Sequence, residues 1–486
     1  MVDRVTVTRE VLRGITLIGG VESTDASGGV YEHVNPSTNR GQADVPMAGA
    51  DEVEAAVVAA RAGFAIWRNW APADRRRVLN RLADLLRAHS DEFLSIQALE
   101  TGIPVATGGM LGMLIDATEY CASEADKLHG RVIATARLDV MDYTLVEPIG
   151  VVAVIVPWNG PVGQLGLSAL PPLAAGCAII LKPSELAPFS SMLFGRLCKE
   201  AGIPDGVVNV ITGGPEAGQL LCSHPGIDKV SFTGSYETSL VVGATAAGSG
   251  KSLMMELGGK SADLVFGDAD VPKAAADAVG WLVFNSGQAC TLASRFLVHE
   301  SIYDEYVGLL TDQMRALRPG DAIDPETSMG PVITAGAADR ILGMIDRAKD
   351  GNTLATGGGR ADLPGFHVEP TLFVDVDPAS EIARKEVFGP VYAVMKFSDE
   401  DEAIALANSS EFGLAAYVHT SDVSRAIRVA AQLEAGTVGV NGGVAPSMAA
   451  APFGGVKHSG YGRAGGIEGL LEFCTVKNVN IPLSRP

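Results

Sequence analysis

The sequence has 486 residues, enough for about three domains and a large buried core. Lys and Arg total 37 while Asp and Glu total 57, and the net charge of −20 argues against a cationic surface that would bind nucleic acid. A hydrophobic fraction of 47 % with 19 % charged residues excludes a disordered or collagen-like chain.

The cysteines and the N-terminus bear on the compartment of the protein. The six cysteines are Cys121, Cys177, Cys198, Cys222, Cys290 and Cys474. They form no CxxC pair and no ligand pattern with His, so we predict neither a disulfide framework nor a metal site. The opening segment MVDRVTVTREVLRG has charged residues where a signal peptide has an apolar core. We therefore expect a cytoplasmic protein.

The first 125 residues are predicted to be mostly helical after an irregular N-terminal segment. Residues 51–67 and 74–99 repeat apolar side chains every three or four positions, as amphipathic helices do. Residues 148–181 carry no charge over a length that could cross a bilayer, but four prolines interrupt any membrane helix. This stretch predicts a buried strand, a loop, a helix and a second buried strand, and no membrane partner.

From residue 151 onward, short β-branched runs alternate with helix-length segments. The runs are VVAVIV (151–156), CAIILK (177–182), VVNVIT (207–212) and KVSFTG (229–234), with helical segments at 188–201 and 215–222. This alternation is typical of βαβ units in a doubly wound parallel sheet that is buried on both faces.

A second alternating region, from about 260 to 455, predicts a second α/β domain. Its expected helices lie near 271–285 and 301–317, and its expected strands lie near 294–298, 369–374 and 437–441. Two further strand-like segments, 137–148 and 472–483, fall outside both patterns. We predict that they pair with the sheet edge of another subunit.

Two residues are candidates for the chemistry itself. Cys290, in FNSGQACTLASR, has small neighbours that leave its thiol open, although a buried structural cysteine is the alternative. Glu256, in MMELGGKS, has apolar neighbours that favour burial, which raises a carboxyl pKa toward that of a general base. The alternative for Glu256 is an ion pair with Lys251 or Lys260.

Three groups near the ends of predicted strands are candidates for ligand binding. Asn159, in PWNGP, either donates to an oxyanion or is a turn residue. The glycine-rich segment 211–218 and the segment FTGS at 232–235 each join a strand to a helix. Each segment either binds phosphate through its backbone N–H groups or is only a tight turn. Lys182 and Glu185 either hold ribose hydroxyls or form a solvated pair.

Seven motifs, taken in order, resemble those of the hydrolytic, non-acylating branch of the aldehyde dehydrogenase superfamily. They are Pro157-Trp158-Asn159, Lys182-Pro183-Ser184-Glu185, Phe232-Thr233-Gly234-Ser235, Glu256-Leu257-Gly258-Gly259-Lys260, Gly287-Gln288-Ala289-Cys290, Glu386-Val387-Phe388-Gly389-Pro390 and Pro452-Phe453-Gly454-Gly455. Glu256 precedes Cys290 by 34 residues, which also agrees with the family pattern. The resemblance extends from Asn35-Pro36 to the last predicted strand.

The resemblance implies an α/β fold with two doubly wound domains, a Rossmann-like cofactor domain and a catalytic domain, and a small β oligomerisation arm. The implied boundaries are 1–129 and 149–257 for NAD binding, 258–458 for catalysis, and 130–148 with 459–486 for the arm and the C-terminal strand. An arm of this kind implies a homodimer or a homotetramer.

The resemblance also implies a reaction, the oxidation of an aldehyde to the carboxylic acid with NAD. Cys290 would attack the carbonyl carbon, and Asn159 with the Cys290 backbone N–H would hold the oxyanion. Glu256 would activate the water that hydrolyses the thioester. Its presence argues against the coenzyme-A-acylating branch, which typically lacks this base.

The same resemblance implies the contacts to the cofactor. The residues concerned are Lys182 and Glu185 at the adenosine ribose, Gly214, Gly234 and Ser235 near the pyrophosphate, Trp158 as a wall of the cleft, and Glu386 and Phe388 at the nicotinamide ribose and ring. The Glu185 carboxylate would repel a 2′-phosphate, which favours NAD over NADP and leaves NADP use open.

The predicted substrate tunnel departs from the family pattern. Gly160 stands where many relatives carry Phe, and it is expected to line the tunnel with Gln164, Phe284 and Phe453. A wider tunnel predicts a bulky or aromatic aldehyde, unless neighbouring loops refill the space. Two other functions stay open: an NADP-preferring semialdehyde dehydrogenase, and a catalytically silent protein that keeps the fold for binding or structure. The intact Cys290 argues against the second.

Overall fold

The computed structural model describes residues 12–442 and 449–483. Residues 1–11, which make up most of the segment that lacks a signal-peptide pattern, lie outside the described residues. Among the described residues, the strands are β1 (Thr16–Ile18), β2 (Val21–Ser23), β3 (Val30–Asn35), β4 (Arg40–Pro46), β5 (Val132–Ile133), β6 (Val140–Pro148), β7 (Val151–Ile155), β8 (Ala178–Lys182), β9 (Val208–Val210), β10 (Lys229–Thr233), β11 (Ser252–Glu256), β12 (Ser261–Val265), β13 (Ala293–His299), β14 (Thr353–Thr356), β15 (Thr371–Val374), β16 (Val391–Phe397), β17 (Phe412–Gly413), β18 (Ala415–His419), β19 (Thr437–Val440), β20 (Val456–Lys457), β21 (Gly460–Tyr461) and β22 (Cys474–Pro482).

Helices cover both faces of the large sheets. They are α1 (Ala50–Trp67), α2 (Pro72–Ala88), α3 (Ser90–Thr101), α4 (Leu111–Glu124), α5 (Pro161–Gln164), α6 (Leu170–Ala175), α7 (Phe189–Ala201), α8 (Pro215–Ser223), α9 (Tyr236–Ala247), α10 (Val271–Asn285), α11 (Tyr303–Arg315), α12 (Ala335–Lys349), α13 (Glu381–Arg384), α14 (Glu400–Asn408), α15 (Val423–Ala430) and α16 (Gly466–Leu471). Short 3-10 turns occupy Val105–Thr107 and Glu300–Ile302, and Leu165–Ala169 is π-helical.

The first large sheet has eight strands in the order β2-β1-β9-β8-β7-β10-β11-β21. Its five central strands, β9 to β11, are parallel, and the strands at both edges pair antiparallel. Residues of β7 alternate between two hydrophobic cores, with Val152 and Val154 in one and Val151 and Ala153 in the other. The chain order reverses at β7, so a ligand crevice is expected outside the carboxyl ends of β7 and β10.

The second large sheet has seven strands in the order β14-β15-β16-β13-β12-β18-β19. All pairs in it are parallel except β14 with β15. Two separate hydrophobic cores lie against it, one of which includes Leu264 and Leu297 and the other Val265 and Phe296. The predicted α/β class with two doubly wound sheets is confirmed, whereas the exact domain boundaries stay a prediction.

The two strand-like segments outside these sheets form a small sheet of their own. β6 and β22 pair antiparallel over nine residue pairs, from Cys474 with Pro148 to Pro482 with Val140, and β5 adds to the other edge of β6. Segments 137–148 and 472–483 therefore pair with each other within the chain. Addition of this sheet to another subunit stays a prediction.

The N-terminal part contains more strand than the sequence indicates. The predicted irregular segment holds two antiparallel hairpins, β1 with β2 and β3 with β4. Gly19 and Gly20, both at positive φ, form the tight turn of the first hairpin. The strands beside this turn have only three residues each, which is too short for an alternating pattern to stand out.

The predicted helical segment 74–99 is broken into α2 and α3 at His89. The Ser90 hydroxyl donates to the Arg87 carbonyl, and the His89 ring lies 2.8 Å from the Glu92 carboxylate. Such local side-chain bonds compete with the helical backbone and end the first helix. The apolar periodicity continues through the break, which is why the sequence indicates one segment.

The uncharged stretch 148–181 folds as predicted, into β7, a loop, a helix and β8. The helix runs through α5, the π-helical turn and α6. Pro171 and Pro172 have no N–H to donate, and their rings crowd the carbonyls one turn earlier. The wider π turn, closed by the Leu170 N–H donating to the Leu165 carbonyl, precedes them. Within residues 12–442 and 449–483, none of the helices has the length and apolarity needed to cross a membrane.

Candidate active site

Cys290 lies in the loop that follows α10. Ser286 and Gly287 both have positive φ, at 52° and 75°, and a Cβ on Gly287 would lie 2.1 Å from the Gly389 carbonyl oxygen. Glycine is therefore required for the sharp turn. The buried Gln288 side chain fixes the loop, because it accepts from the Ile333 N–H at 2.9 Å and donates to the Pro331 carbonyl at 3.3 Å.

The electrostatic environment of Cys290 opposes ionisation. Burial raises the pKa of its thiol to about 12, and the carboxylates of Glu386 and Glu256 add to the shift. The backbone N–H groups of Cys290 and Thr291 face the sulfur and oppose the shift. The thiol is therefore protonated at neutral pH, and a nucleophilic role requires that a base remove the proton.

Asn159 follows β7, and its side chain is held in one orientation. Its Nδ2 donates to the Gln288 carbonyl at 3.0 Å, and the Asn285 amide donates to the Asn159 carbonyl at 2.6 Å. An amide nitrogen has two hydrogens. The second hydrogen has no protein acceptor within the described ranges, and Asn159 lines the same cavity as Cys290. This arrangement provides a free donor beside the thiol.

Glu256 is the last residue of β11, where it pairs with Thr233 of β10 and Gly460 of β21. Its side chain is 4 % exposed, and neither carboxylate oxygen has a hydrogen-bond partner among the described residues. Burial raises the pKa of Glu256 well above its usual range, while the charge of Arg463 opposes this rise and Glu472 adds to it. The ion pair with Lys251 or Lys260 that the sequence left open does not form. A buried carboxyl of this kind is suited to exchange protons.

A cavity of about 430 Å³, the substrate cavity, opens in front of Cys290. Its described lining includes Met110, Met113, Asp116, Asn159, Gly160, Gln164, Trp281, Phe284, Cys290 and Phe453. All four residues predicted for the tunnel are thus brought together. The space at Gly160 is partly filled, since a Cβ there would lie 3.0 Å from Cε of Met110. Met110 therefore takes up part of this space while a large cavity is left, and the width of the substrate tunnel stays a prediction.

A second groove reaches Cys290 from the first sheet. Its outer part, about 640 Å³ and here called the outer cleft, is lined by Lys182, Glu185, Gly214, Gly234 and Ser235, among others. Its inner part, about 740 Å³ and here called the inner cleft, is lined by Trp158, Glu256, Cys290, Glu386 and Phe388, among others. Both parts share Trp158 and Ser235, so the groove is continuous.

Glu386 and the aromatic pair shape the inner cleft. The Glu386 carboxylate accepts from the Gly259 N–H at 3.0 Å, and burial raises the pKa of Glu386 to about 7. Phe388 has a positive φ of 52°, which is rare for an aromatic residue, and its ring meets Trp158 edge to face at 5.5 Å. Strained backbone of this type is concentrated at functional sites.

The groove has the chemistry to hold a dinucleotide. Lys182 is 7 % exposed, and its ammonium group has no hydrogen-bond or ion-pair partner within the described residues. Thr233 Oγ1 is also buried without a partner. The N-termini of α8 and α9 begin beside Gly214 and Ser235, where backbone N–H groups attract phosphate. Ribose hydroxyls and phosphate oxygens would satisfy these donors, so the residues fit such a cofactor.

The sequence of this chain matches a known protein family over most of its length. A family model described as the aldehyde dehydrogenase family matches residues 23–479. This chain belongs to the aldehyde dehydrogenase family. It is an oxidoreductase enzyme that acts on aldehydes, and the predictions of family, fold class and enzyme class are confirmed.

Individual relatives agree with this assignment. The enzyme is 40 % identical over 461 residues to an aldehyde dehydrogenase of Emericella nidulans, covering 94 % of this chain and 92 % of that one. It is 39 % identical over 473 residues to the NADP/NAD-dependent aldehyde dehydrogenase PuuC of Escherichia coli, with 96 % and 95 % covered. A crystal structure of betaine aldehyde dehydrogenase from Staphylococcus aureus in complex with NAD+ superposes with a TM-score of 0.95 at 34 % identity, covering 99 % and 97 % of the two chains.

Sequence reasoning missed the residues that α4 and the segment before it bring to the substrate cavity. Met110 and Met113 are three residues apart, and so are Gly160 and Gly163 opposite them. The Met110 sulfur would lie 3.1 Å from a Cβ on either glycine. Glycines at a three-residue spacing predict the close approach of another element. This signal could have indicated that a large side chain packs against Gly160 and Gly163.

Proposed function

We propose that this aldehyde dehydrogenase oxidises its substrate to the carboxylic acid through a thioester on Cys290, which a water activated by Glu256 then hydrolyses. One observation carries the proposal. Cys290 and Asn159 line both the substrate cavity and the inner cleft, and Glu256 lines the inner cleft with both carboxylate oxygens unpartnered. A thiol and an amide donor thus lie where the two spaces meet, and a carboxyl group that could act as the base lies on the inner cleft, which supports the proposal.

The first half-reaction begins at the Cys290 thiol, which loses its proton to a base. The sulfur bonds to the carbonyl carbon, and the carbonyl π electrons move to the oxygen, which becomes an oxyanion. The free Asn159 N–H and the Cys290 backbone N–H hold this charge, and one such donor is typically worth about 10²- to 10³-fold in kcat. When the C=O bond re-forms, hydride leaves the carbon and Cys290 retains the acyl group as a thioester. NAD bound in the cleft supplies the hydride acceptor.

The second half-reaction depends on Glu256. The ionised carboxylate takes a proton from water as the water oxygen bonds to the thioester carbon. The C–S bond then breaks, the acid is released, and the sulfur leaves as thiolate. Because burial raises the pKa of Glu256, hydrolysis should accelerate as pH rises through that raised pKa and the carboxyl ionises.

For the cofactor we propose NAD, with NADP as the second candidate. Lys182 and Glu185 would hold the adenosine ribose, Gly214, Gly234 and Ser235 the pyrophosphate, and Trp158, Glu386 and Phe388 the nicotinamide end. The S. aureus relative binds NAD+, whereas the name of the E. coli relative includes both cofactors. The Glu185 carboxylate lies on the outer cleft, and a negative charge there disfavours a 2′-phosphate.

Changing Glu185→Gln should shift the cofactor preference toward NADP. Removing one repulsive charge at ion-pair distance is expected to raise kcat/KM for NADP relative to NAD by about tenfold. The ratio is measured with both cofactors and one aldehyde. Glu200→Gln on the exposed far end of α7 is the matched control and should leave the ratio unchanged. An unaltered ratio in Glu185→Gln would remove Glu185 from the specificity site.

For the substrate we propose a bulky or aromatic aldehyde. The substrate cavity has the volume for it, and Trp281, Phe284 and Phe453 place three aromatic rings in its wall. A second candidate is an aldehyde with a cationic end, as the name of the S. aureus relative indicates for that protein. Asp116 favours this candidate, because it is the one charged side chain of the described lining.

The test is turnover across a panel of small aliphatic, branched, aromatic, cationic and semialdehyde substrates, each with NAD and with NADP, followed by absorbance of the reduced cofactor. We expect the highest kcat/KM with NAD and a bulky aldehyde, by about tenfold or more over a small aliphatic one for two extra buried methylene groups. A clear preference for a cationic aldehyde would establish the second candidate. If the enzyme binds NAD but turns over none of the aldehydes in the panel, the proposal is overturned.

A further inference from the structure

The loop 183–188, which carries Glu185, is held from behind by the N-terminal hairpin of β3 and β4. His33 of β3 is buried, at 1 % exposure, and its Nε2 lies 2.9 Å from the Leu186 carbonyl oxygen. The His33 ring also meets Phe189 edge to face at 5.1 Å. Tyr31 lies two residues earlier on the same face of β3, and burial raises the pKa of its phenol, with the nearby Glu185 carboxylate adding to the rise.

The neighbours of His33 decide which ring nitrogen carries the proton. The Gln42 amide nitrogen, which can only donate, lies 3.0 Å from Nδ1 of His33 and also donates to the Leu99 carbonyl at 2.8 Å. Nδ1 is therefore the acceptor, and Nε2 carries the hydrogen that is donated to Leu186. Burial lowers the pKa of His33 to about 4, so the ring is neutral at physiological pH.

Other contacts hold N–H groups of this loop and of the residue after it, whereas His33 holds the Leu186 carbonyl. The Ser184 hydroxyl accepts from the Leu186 N–H at 3.2 Å, and the Glu100 carboxylate accepts from the Phe189 N–H at 2.8 Å. Among the described residues, only His33 donates to the Leu186 carbonyl, which follows directly after Glu185 in the chain. Loss of this donor leaves a partly buried carbonyl without its hydrogen bond and removes a contact that ties the loop to β3, although the Ala187 N–H still donates to the Ser184 carbonyl at 3.1 Å.

We propose that His33 is a positioning residue for the cofactor: through the Leu186 carbonyl it fixes the loop that bears Glu185 and thereby sets the affinity for the adenosine half of NAD. This inference rests on the proposed function, since it takes Glu185 to face the adenosine ribose. His33 touches neither the outer nor the inner cleft, and its effect is on binding rather than on the chemical steps.

The test compares His33→Phe with His33→Gln by isothermal titration calorimetry with NAD and with AMP. Phe retains a ring against Phe189 but has no donor, whereas the Gln amide can donate from nearly the position of Nε2. We expect His33→Phe to raise Kd for NAD and for AMP by about fivefold to tenfold, because one buried hydrogen bond is lost. His33→Gln should remain within about twofold of the unaltered enzyme. The kcat at saturating NAD should change less than twofold in both variants.

A second variant keeps the inference testable if His33→Phe does not fold. Gln42→Leu removes the amide that fixes the ring tautomer and leaves His33 in place, so it should raise Kd for AMP by about threefold even where His33→Phe is insoluble. Unchanged Kd values in His33→Phe, or a fall of kcat in step with affinity, would overturn the inference. If the unaltered enzyme binds neither NAD nor NADP, the proposed function fails first. If it binds NAD and the variants bind equally well, only the role of His33 fails.

Discussion

Cys290→Ala is expected to abolish turnover, lowering kcat by about 10⁴-fold or more, because no second cysteine is found in the described lining of the substrate cavity or of the inner cleft. Binding of NAD should persist, since Cys290 only borders the inner cleft and the groups that fit the ribose and phosphates lie elsewhere. The measurements are reduced-cofactor formation and calorimetric titration of NAD on the same preparation. An active variant would contradict the assignment of the nucleophile.

Cys474→Ala provides the matched control for this change. Cys290 and Cys474 are the two cysteines that are not fully buried, and Cys474 lies on β22 and lines neither cleft. Its replacement should leave kcat unchanged. Equal losses in the two variants would indicate general damage by cysteine removal rather than loss of a nucleophile.

Glu256→Gln is expected to separate the two half-reactions. Loss of a general base typically costs about 10²- to 10⁴-fold, and here it falls on hydrolysis of the thioester. Rapid mixing with aldehyde and NAD should therefore show a burst of reduced cofactor approaching one equivalent per active site, followed by very slow turnover. Absence of the burst would mean that Glu256 is needed already for the attack by Cys290. Glu381→Gln, which breaks only an exposed pair with Arg347, should behave like the unaltered enzyme.

The same substitution should affect stability in a pH-dependent way. Glu256 has a raised pKa in the folded state, so as pH rises above the ordinary value of 4.5 the unfolded chain releases this proton while the folded chain keeps it. Stability contributed by this group therefore falls with increasing pH until the folded-state pKa is passed. The Glu256→Gln variant has no carboxyl at this position and does not lose stability in this way as pH rises. The Tm of the variant minus the Tm of the unaltered enzyme should therefore be larger at pH 8 than at pH 5. An equal difference at both values would argue that Glu256 is ionised in the folded enzyme.

Much of the architecture was predictable because its signals are local. The strands β7, β8 and β10 are short runs rich in apolar or β-branched residues, and each observed strand differs from the predicted run by one residue. Cys290 and Glu256 were identified as candidates from their neighbours alone, and the resemblance to a family then ordered them into a mechanism. Their roles stay predictions until the variants above are measured.

What the sequence did not reveal depends on contacts between distant segments. The turn between β1 and β2 has a clear glycine signal, but strands of three residues carry too little pattern. The place of Met110 opposite Gly160 depends on how α4 packs against α5, and no periodicity within either segment specifies that. The bond from His33 to the Leu186 carbonyl joins residues 153 positions apart. Long-range pairs of this kind are fixed by the tertiary fold.

The strand beside Glu256 has a consequence for biosynthesis. β11 pairs with β10 on one side and with β21 on the other, and β21 comes after all strands of the second large sheet in the chain. During translation the parallel strands β7 to β11 are complete early, yet the β11 edge stays open until residue 461 has been added. Open edges of this kind recruit other strands, so a stalled nascent chain is exposed to aggregation at the strand that carries Glu256. The sheet edge that holds Glu256 is thus completed only when synthesis is nearly finished.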